Sequence, residues 1–180
     1  MPKPKVSSDW MAGCAGCHMS LLDMDERIVK IAELVELRAT PITDLKEPDE
    51  SGVDVGILEG GINNTANEEV AHKFRKRCKL LVALGDCAVF GGVPAMRNFF
   101  PLEEALRRAY VETESTDSEG LIPSDPELAQ MTRVRAIHAV VPVDIFVPGC
   151  PPDPDTIFYV LAELAQGRKP VLEDGKLQWH

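Results

Sequence analysis

Short apolar segments that end in glycine, separated by stretches of helical length, restrict what this chain can fold into. Residues 53–58, Val-Asp-Val-Gly-Ile-Leu, read as a strand running into Glu59-Gly60-Gly61. Residues 80–84 form a continuous apolar run closed by Gly85-Asp86-Cys87, the composition of a strand buried on both faces. Residues 143–147 are the last such segment and lead into Pro148-Gly149-Cys150-Pro151-Pro152. Two weaker strands are expected at 5–8 and 37–43.

Helical signals fill the gaps. Leu21, Met24, Ile28, Ile31 and Val35 recur at helical spacing, with Ser20 and Asp23 expected as the capping pair of one helix. Further helices are expected at 67–79, 101–110, 127–135 and 153–166. Residues 112–126 are acidic and carry Ser, Gly and Pro, so they read as an exposed loop or insertion. Strands alternating with helices require crossovers. The expected fold is therefore α/β: a flavodoxin-like, doubly wound, mostly parallel sheet with helices on both faces. At 180 residues, 44% of them hydrophobic, one domain over 1–180 is expected.

Charge and hydropathy narrow the function. A formal net charge of -10 opposes nucleic-acid binding, which needs a basic face to displace counterions. No apolar run approaches the roughly 18 to 20 residues of a membrane span. The N-terminus has neither the apolar core of a signal peptide nor a twin arginine, so a cytoplasmic location is expected. In that compartment five cysteines read as ligands or reactive thiols rather than structural disulfides.

Open parallel sheets bind ligands beyond the carboxyl ends of their strands. Cys14, Cys17, Cys87 and Cys150 each follow an expected strand closely, which brings four thiols to one sheet edge. Cys78 precedes a strand, which puts it at the opposite edge as a buried, inert thiol. Four thiolates suit zinc or a [4Fe–4S] cluster. One Cys-x-x-Cys pair joined by two distant single cysteines favours the cluster, because zinc sites usually pair their ligands as two knuckles. Cys14-Ala15-Gly16-Cys17-His18 also reads as a haem-attachment or redox-disulfide motif, but covalent haem belongs to exported proteins and a disulfide leaves Cys87 and Cys150 unexplained. His18 is expected to be a capping or surface histidine. Glu59 either accepts backbone hydrogen bonds in the Gly-Gly turn or handles protons.

With these residues in place, the chain resembles the small subunit of nickel–iron hydrogenases. Cys14-Ala15-Gly16-Cys17-His18-Met19-Ser20, Glu59-Gly60, Gly85-Asp86-Cys87-Ala88 with Gly91-Gly92, and Val147-Pro148-Gly149-Cys150-Pro151-Pro152 follow that family's signature in order. A subunit of respiratory complex I is similar around Cys87 and Cys150, but it carries adjacent cysteines where this chain has the spaced Cys14 and Cys17. Only about thirty residues follow Cys150 and none is cysteine, which matches the short form found in soluble, bidirectional NAD-reducing hydrogenases.

The resemblance implies one proximal [4Fe–4S] cluster on Cys14, Cys17, Cys87 and Cys150, with Gly13, Gly16, Glu59, Gly149 and Pro151 shaping its surroundings. It implies no catalytic residue on this chain. A nickel–iron centre is expected on a partner large subunit; FMN, further clusters and NAD are expected on diaphorase subunits. A complex I-like quinone-linked subunit and a zinc-stabilised adaptor are the competing readings.

Overall fold

The computed structural model describes residues 2–45, 48–117, 119–173 and 176–177. Five parallel strands form the central sheet: β1 (Lys5–Trp10), β2 (Glu36–Ala39), β3 (Val53–Glu59), β5 (Cys78–Leu84) and β7 (Ile145–Val147). Their order is β2-β1-β3-β5-β7. Renumbered within this sheet alone, that is the 2-1-3-4-5 order of flavodoxin-like folds, whose switch point lies between the first and third strands. The segments leaving the carboxyl ends of β1 and β3 stay joined there by an antiparallel bridge between Ala12 and Gly61.

Period-two alternation along the buried strands sends side chains to both faces. Val82 and Leu84 of β5 join Val6, Val55, Ile57 and Val147 in a core under α1 (Gly16–Leu22), α2 (Arg27–Leu34) and α6 (Pro154–Ala165). Leu81 and Ala83 join Leu58, Ala71, Phe74, Ala88 and Val89 on the opposite face, under α3 (Thr65–Arg77) and α4 (Asp86–Phe90). Helices thus cover both faces, as the continuous apolar runs require. Asn64 caps α3 by accepting from the Asn67 amide at 2.8 Å, and α5 (Leu102–Tyr110) matches its expected span closely.

Four expectations need correction. The helix expected over 20–35 is two helices, because Asp25 adopts φ 51° between them and short polar side chains tolerate that left-handed turn. Ser20 therefore lies inside α1 and caps nothing; its hydroxyl donates to the Pro152 carbonyl at 2.6 Å. Residues 127–135 do not form a helix. Their second half is a strand, β6 (Met131–Arg135), antiparallel to β4 (Ile62–Asn64) in a separate two-stranded sheet. Asn98 reinforces β6 by accepting from the Val134 amide at 2.9 Å and donating to its carbonyl at 2.8 Å. This pairing outweighs the weak local helix preference of Glu127, Leu128 and Ala129. The second strand also closes at Ala39, short of the expected residue 43.

The 112–126 segment, in which Ser118 lies outside the described residues, carries turns and bends rather than helix or strand. Among the described residues no helix is long and apolar enough to cross a membrane.

Candidate cluster site

Three strand-end loops meet at the carboxyl edge of the sheet, and backbone bonds tie them together. After β1, the Met11 amide donates to the Glu59 carbonyl at 2.8 Å, and Ala12 and Gly61 exchange bonds of 3.0 and 2.8 Å. Cys14 follows on the exposed loop, Ala15 turns the chain at φ 62°, and Cys17 is buried in the first turn of α1. After β5, Gly85 donates to the Val147 carbonyl at 2.7 Å, and α4 carries the half-buried Cys87. After β7 come Gly149 and the exposed Cys150, whose bond to Pro151 is cis. Asp86 and Ser20 bind the last loop to the other two. The four thiols line one cavity together with Glu59 and Asp86.

Glycine is required at two points in this wall. Gly85 has φ +84°, and a Cβ there would stand 2.2 Å from Cys17 Sγ. Gly92 has φ +49°, and a Cβ would come within 2.9 Å of Cys87 Sγ. Any side chain at either position displaces a thiol, on top of the strain of a left-handed backbone.

Glu59, at the end of β3, is 2% exposed. Its carboxylate accepts from the Cys17 amide at 3.2 Å and the His18 amide at 2.9 Å, and it pairs with His18 Nδ1 at 2.5 Å. His18 Nε2 lies 3.0 Å from Ser8 Oγ, and the ring meets Trp10 edge-on with centroids 5.5 Å apart. His18 is therefore neither a cap nor a surface residue: at 1% exposure it is a linker between β1 and β3. Burial pushes the Glu59 carboxyl up, but the His18 ring and the two amides outweigh it and hold the group below the usual range. Burial pushes the Cys17 thiol well above its ordinary value, and the Glu59 charge and the neighbouring Cys87 add to the effect. Cys87 moves the same way, by burial and then by Cys150 and Cys14. Such thiols stay protonated unless a metal ion draws the proton off.

Cys78 opens β5 far from this cavity, buried against Phe74 and Gly56, and burial pushes its thiol up to about 11. Gly16, Gly149 and Pro151 line the cavity, whereas Gly13 packs instead against the Gly60 backbone, 3.4 Å from its Cβ position. Gly85, Gly92, Asp86 and Ser20 were not singled out from the sequence as site residues. The glycine preceding an aspartate at the end of an apolar run was the signal for Gly85 and Asp86, while Ser20 gave no local sign of its partner.

Among the described residues no three His, Cys, Asp or Glu side chains converge closely enough to share a single metal ion. Four sulfurs lining one cavity are a donor set that both iron–sulfur clusters and zinc take.

Fold and site together define a class: a parallel α/β chain whose sheet edge gathers four cysteines from three loops. The chain belongs to the family of the 20 Kd subunit of NADH ubiquinone oxidoreductase, which matches residues 14–164. It is 43% identical over 169 residues to the NAD-reducing hydrogenase HoxS subunit delta of Cupriavidus necator, covering 92% of this chain and 80% of that one. It is 36% identical to a subunit of the F420-non-reducing hydrogenase of Methanothermobacter marburgensis, spanning 93% of this chain but only 55% of that longer protein. In structure it superposes on a chain of the NAD+-reducing [NiFe]-hydrogenase in the H2-reduced state with a TM-score of 0.94, at 36% identity, covering 99% of this chain and 100% of the other. These likenesses bear out the resemblance to the short hydrogenase small subunit and make the chain part of an oxidoreductase complex.

Proposed function

We propose that this chain is the electron-transfer small subunit of a cytoplasmic NAD-reducing nickel–iron hydrogenase, holding one proximal [4Fe–4S] cluster on Cys14, Cys17, Cys87 and Cys150. The observation that carries the reading is the meeting of four thiols from three strand-end loops around one cavity, in a fold shared end to end with a chain of an NAD+-reducing hydrogenase. When bound, such a cluster supplies one-electron acceptance and release at a potential set by its surroundings.

The chain's own residues supply the setting. Cys17 and Cys87 offer thiols shielded from water, and Cys14 and Cys150 offer thiols at the open rim. Gly85 and Gly92 keep space free beside two of the sulfurs, and the Asp86 clamp holds the loops at fixed separation. Hydrogen is split on the partner large subunit, so no residue here performs bond chemistry. Electrons pass onward to diaphorase subunits that carry the flavin and NAD sites.

The rim has the character of a docking face. Phe90, Val93, Met96, Phe99 and Phe100 are all at least 60% exposed, on α4 and the 3-10 helix that follows Cys87. Trp10 and Met19 are exposed beside the Cys14 loop. Apolar side chains in that number on one segment belong under a partner subunit, and a redox partner has to approach the site it exchanges electrons with.

Iron and acid-labile sulfide analysis of the anaerobically purified complex, with electron paramagnetic resonance after reduction, tests the assignment. Four irons and four sulfides lost per complex on Cys87→Ser support it. Loss of zinc instead, with iron and sulfide unchanged, overturns it.

A further inference from the structure

A buried carboxylate beside four thiols is electrostatically out of place, and Glu59 is there nonetheless. All three hydrogen bonds described above run from its side chain to α1, the helix that carries Cys17. That helix has no cap of its own: Ala15 stands at its N-cap position and offers no side-chain acceptor. The first amides of a helix have no intrahelical partner and need one when buried. Glu59 supplies it from the end of a strand about forty residues away, and the His18 ring, braced by Ser8, holds the carboxylate in place.

We propose that Glu59 is the positioning residue for Cys17, and that its carboxylate, in the wall of the cavity the four cysteines line, lowers the reduction potential of the group they hold. The second half rests on the cluster reading; the first does not. The first effect is argued from the bonds to α1, the second from the carboxylate's place beside the four thiols. Without the carboxylate, the Cys17 and His18 amides are left as unpaired buried donors and the first turn of α1 loosens. Without its charge, an electron added next to Cys17 meets less repulsion, so reduction becomes easier.

The test uses the assembled hydrogenase carrying Glu59→Gln or Glu59→Asp, with deuterium exchange, metal content and redox titration read on each. Glu59→Asp keeps the charge but is one methylene short. Its Cys17 and His18 amides should exchange at least ~10-fold faster, the scale of losing a charge-assisted bond, while the cluster potential stays near the parent's. Glu59→Gln keeps the length but not the charge, and should shift the potential upward with iron content retained. Exchange at the α1 amides unchanged in both variants removes the positioning role. An unshifted potential in Glu59→Gln with a full cluster removes the electrostatic role, as does an equal shift in Glu59→Asp. A parent complex with no more iron and sulfide than one carrying Cys87→Ser would count against the cluster reading, and the exchange result would still decide the positioning of Cys17.

Discussion

Asp86 and Gly149 grip each other from both sides. The Asp86 amide donates to the Gly149 carbonyl at 2.9 Å, and the Gly149 amide donates to Asp86 Oδ1 at 2.7 Å. The two residues are 63 positions apart, and each stands next to a cysteine of the site. The separation between Cys87 and Cys150 is thus held by one carboxylate together with backbone bonds between the two loops.

Asp86→Ala should leave the fold intact and lower occupancy of the site. Losing a bond from an amide to a charged acceptor costs about 1.5–3 kcal/mol where it is buried, and less at this half-buried position. Iron content per subunit should fall together with the thermal midpoint. Unchanged iron loading would show that the loops hold their places without the clamp.

Under the proposed function, Cys87→Ser should abolish hydrogen-dependent NAD reduction while NADH oxidation by the proposed diaphorase partners continues. Cys78→Ser should change neither iron content nor activity, because that thiol lies in the apolar core at the other end of β5 and has its acidity suppressed to about 11. Loss of iron from the Cys78 variant would mean the wrong four thiols have been chosen.

Gly85→Ala should be more damaging than its single methyl suggests. The methyl would overlap Cys17 Sγ at 2.2 Å, and the residue would have to keep φ near +84°. Backbone strain of this kind costs about 1–3 kcal/mol. A stable variant with a full complement of iron would contradict the close approach.

Asp144 links β5 to β7 and should contribute to the acid limb of stability. Burial pushes its carboxyl up, but the Arg75 guanidinium at 2.6 Å and the Leu81 amide at 2.7 Å prevail and hold it below its ordinary value. A carboxylate depressed in the folded state stabilises fully above its unfolded value, about pH 4. That stabilisation disappears as pH falls through the lower folded value. Asp144→Asn should therefore be less stable at neutral pH and should lose less between pH 5 and 3. Urea unfolding across that range checks it; parallel curves for parent and variant would refute it.

Phe99→Glu should weaken assembly and spare the fold. Phe99 is 83% exposed, so the substitution removes no internal packing. The variant should be recovered with a normal thermal midpoint but in reduced yield of complex by size-exclusion chromatography. Full assembly would move the docking face elsewhere on the rim.

Much of this was legible in the residues. Apolar runs such as 80–84 report a doubly covered strand, and glycines and cysteines just past the strands report the edge at which a ligand is held. Strand spacing sent Cys78 to the other end, where it is found. Resemblance over the spaced Cys14 and Cys17 then pointed to hydrogenase rather than its quinone-linked relative, in keeping with the relatives found. The β6 strand was not legible, because its pairing with β4 joins segments about seventy residues apart and local propensity at 127–129 points to helix. The break at Asp25 was hidden by an apolar stripe that continues through it.

The sequence by itself determined the five strands of the parallel sheet and the edge on which Cys14, Cys17, Cys87 and Cys150 fall. Both follow from periodicity and strand polarity, which are local properties of the chain. Only the tertiary structure decided that Glu59 turns back to hold α1, that His18 is buried as its brace, and that Asp86 spans two loops. Each of these is a hydrogen bond between residues 41 to 63 positions apart. Such bonds form only after the sheet has brought the loops together, so no local pattern records them.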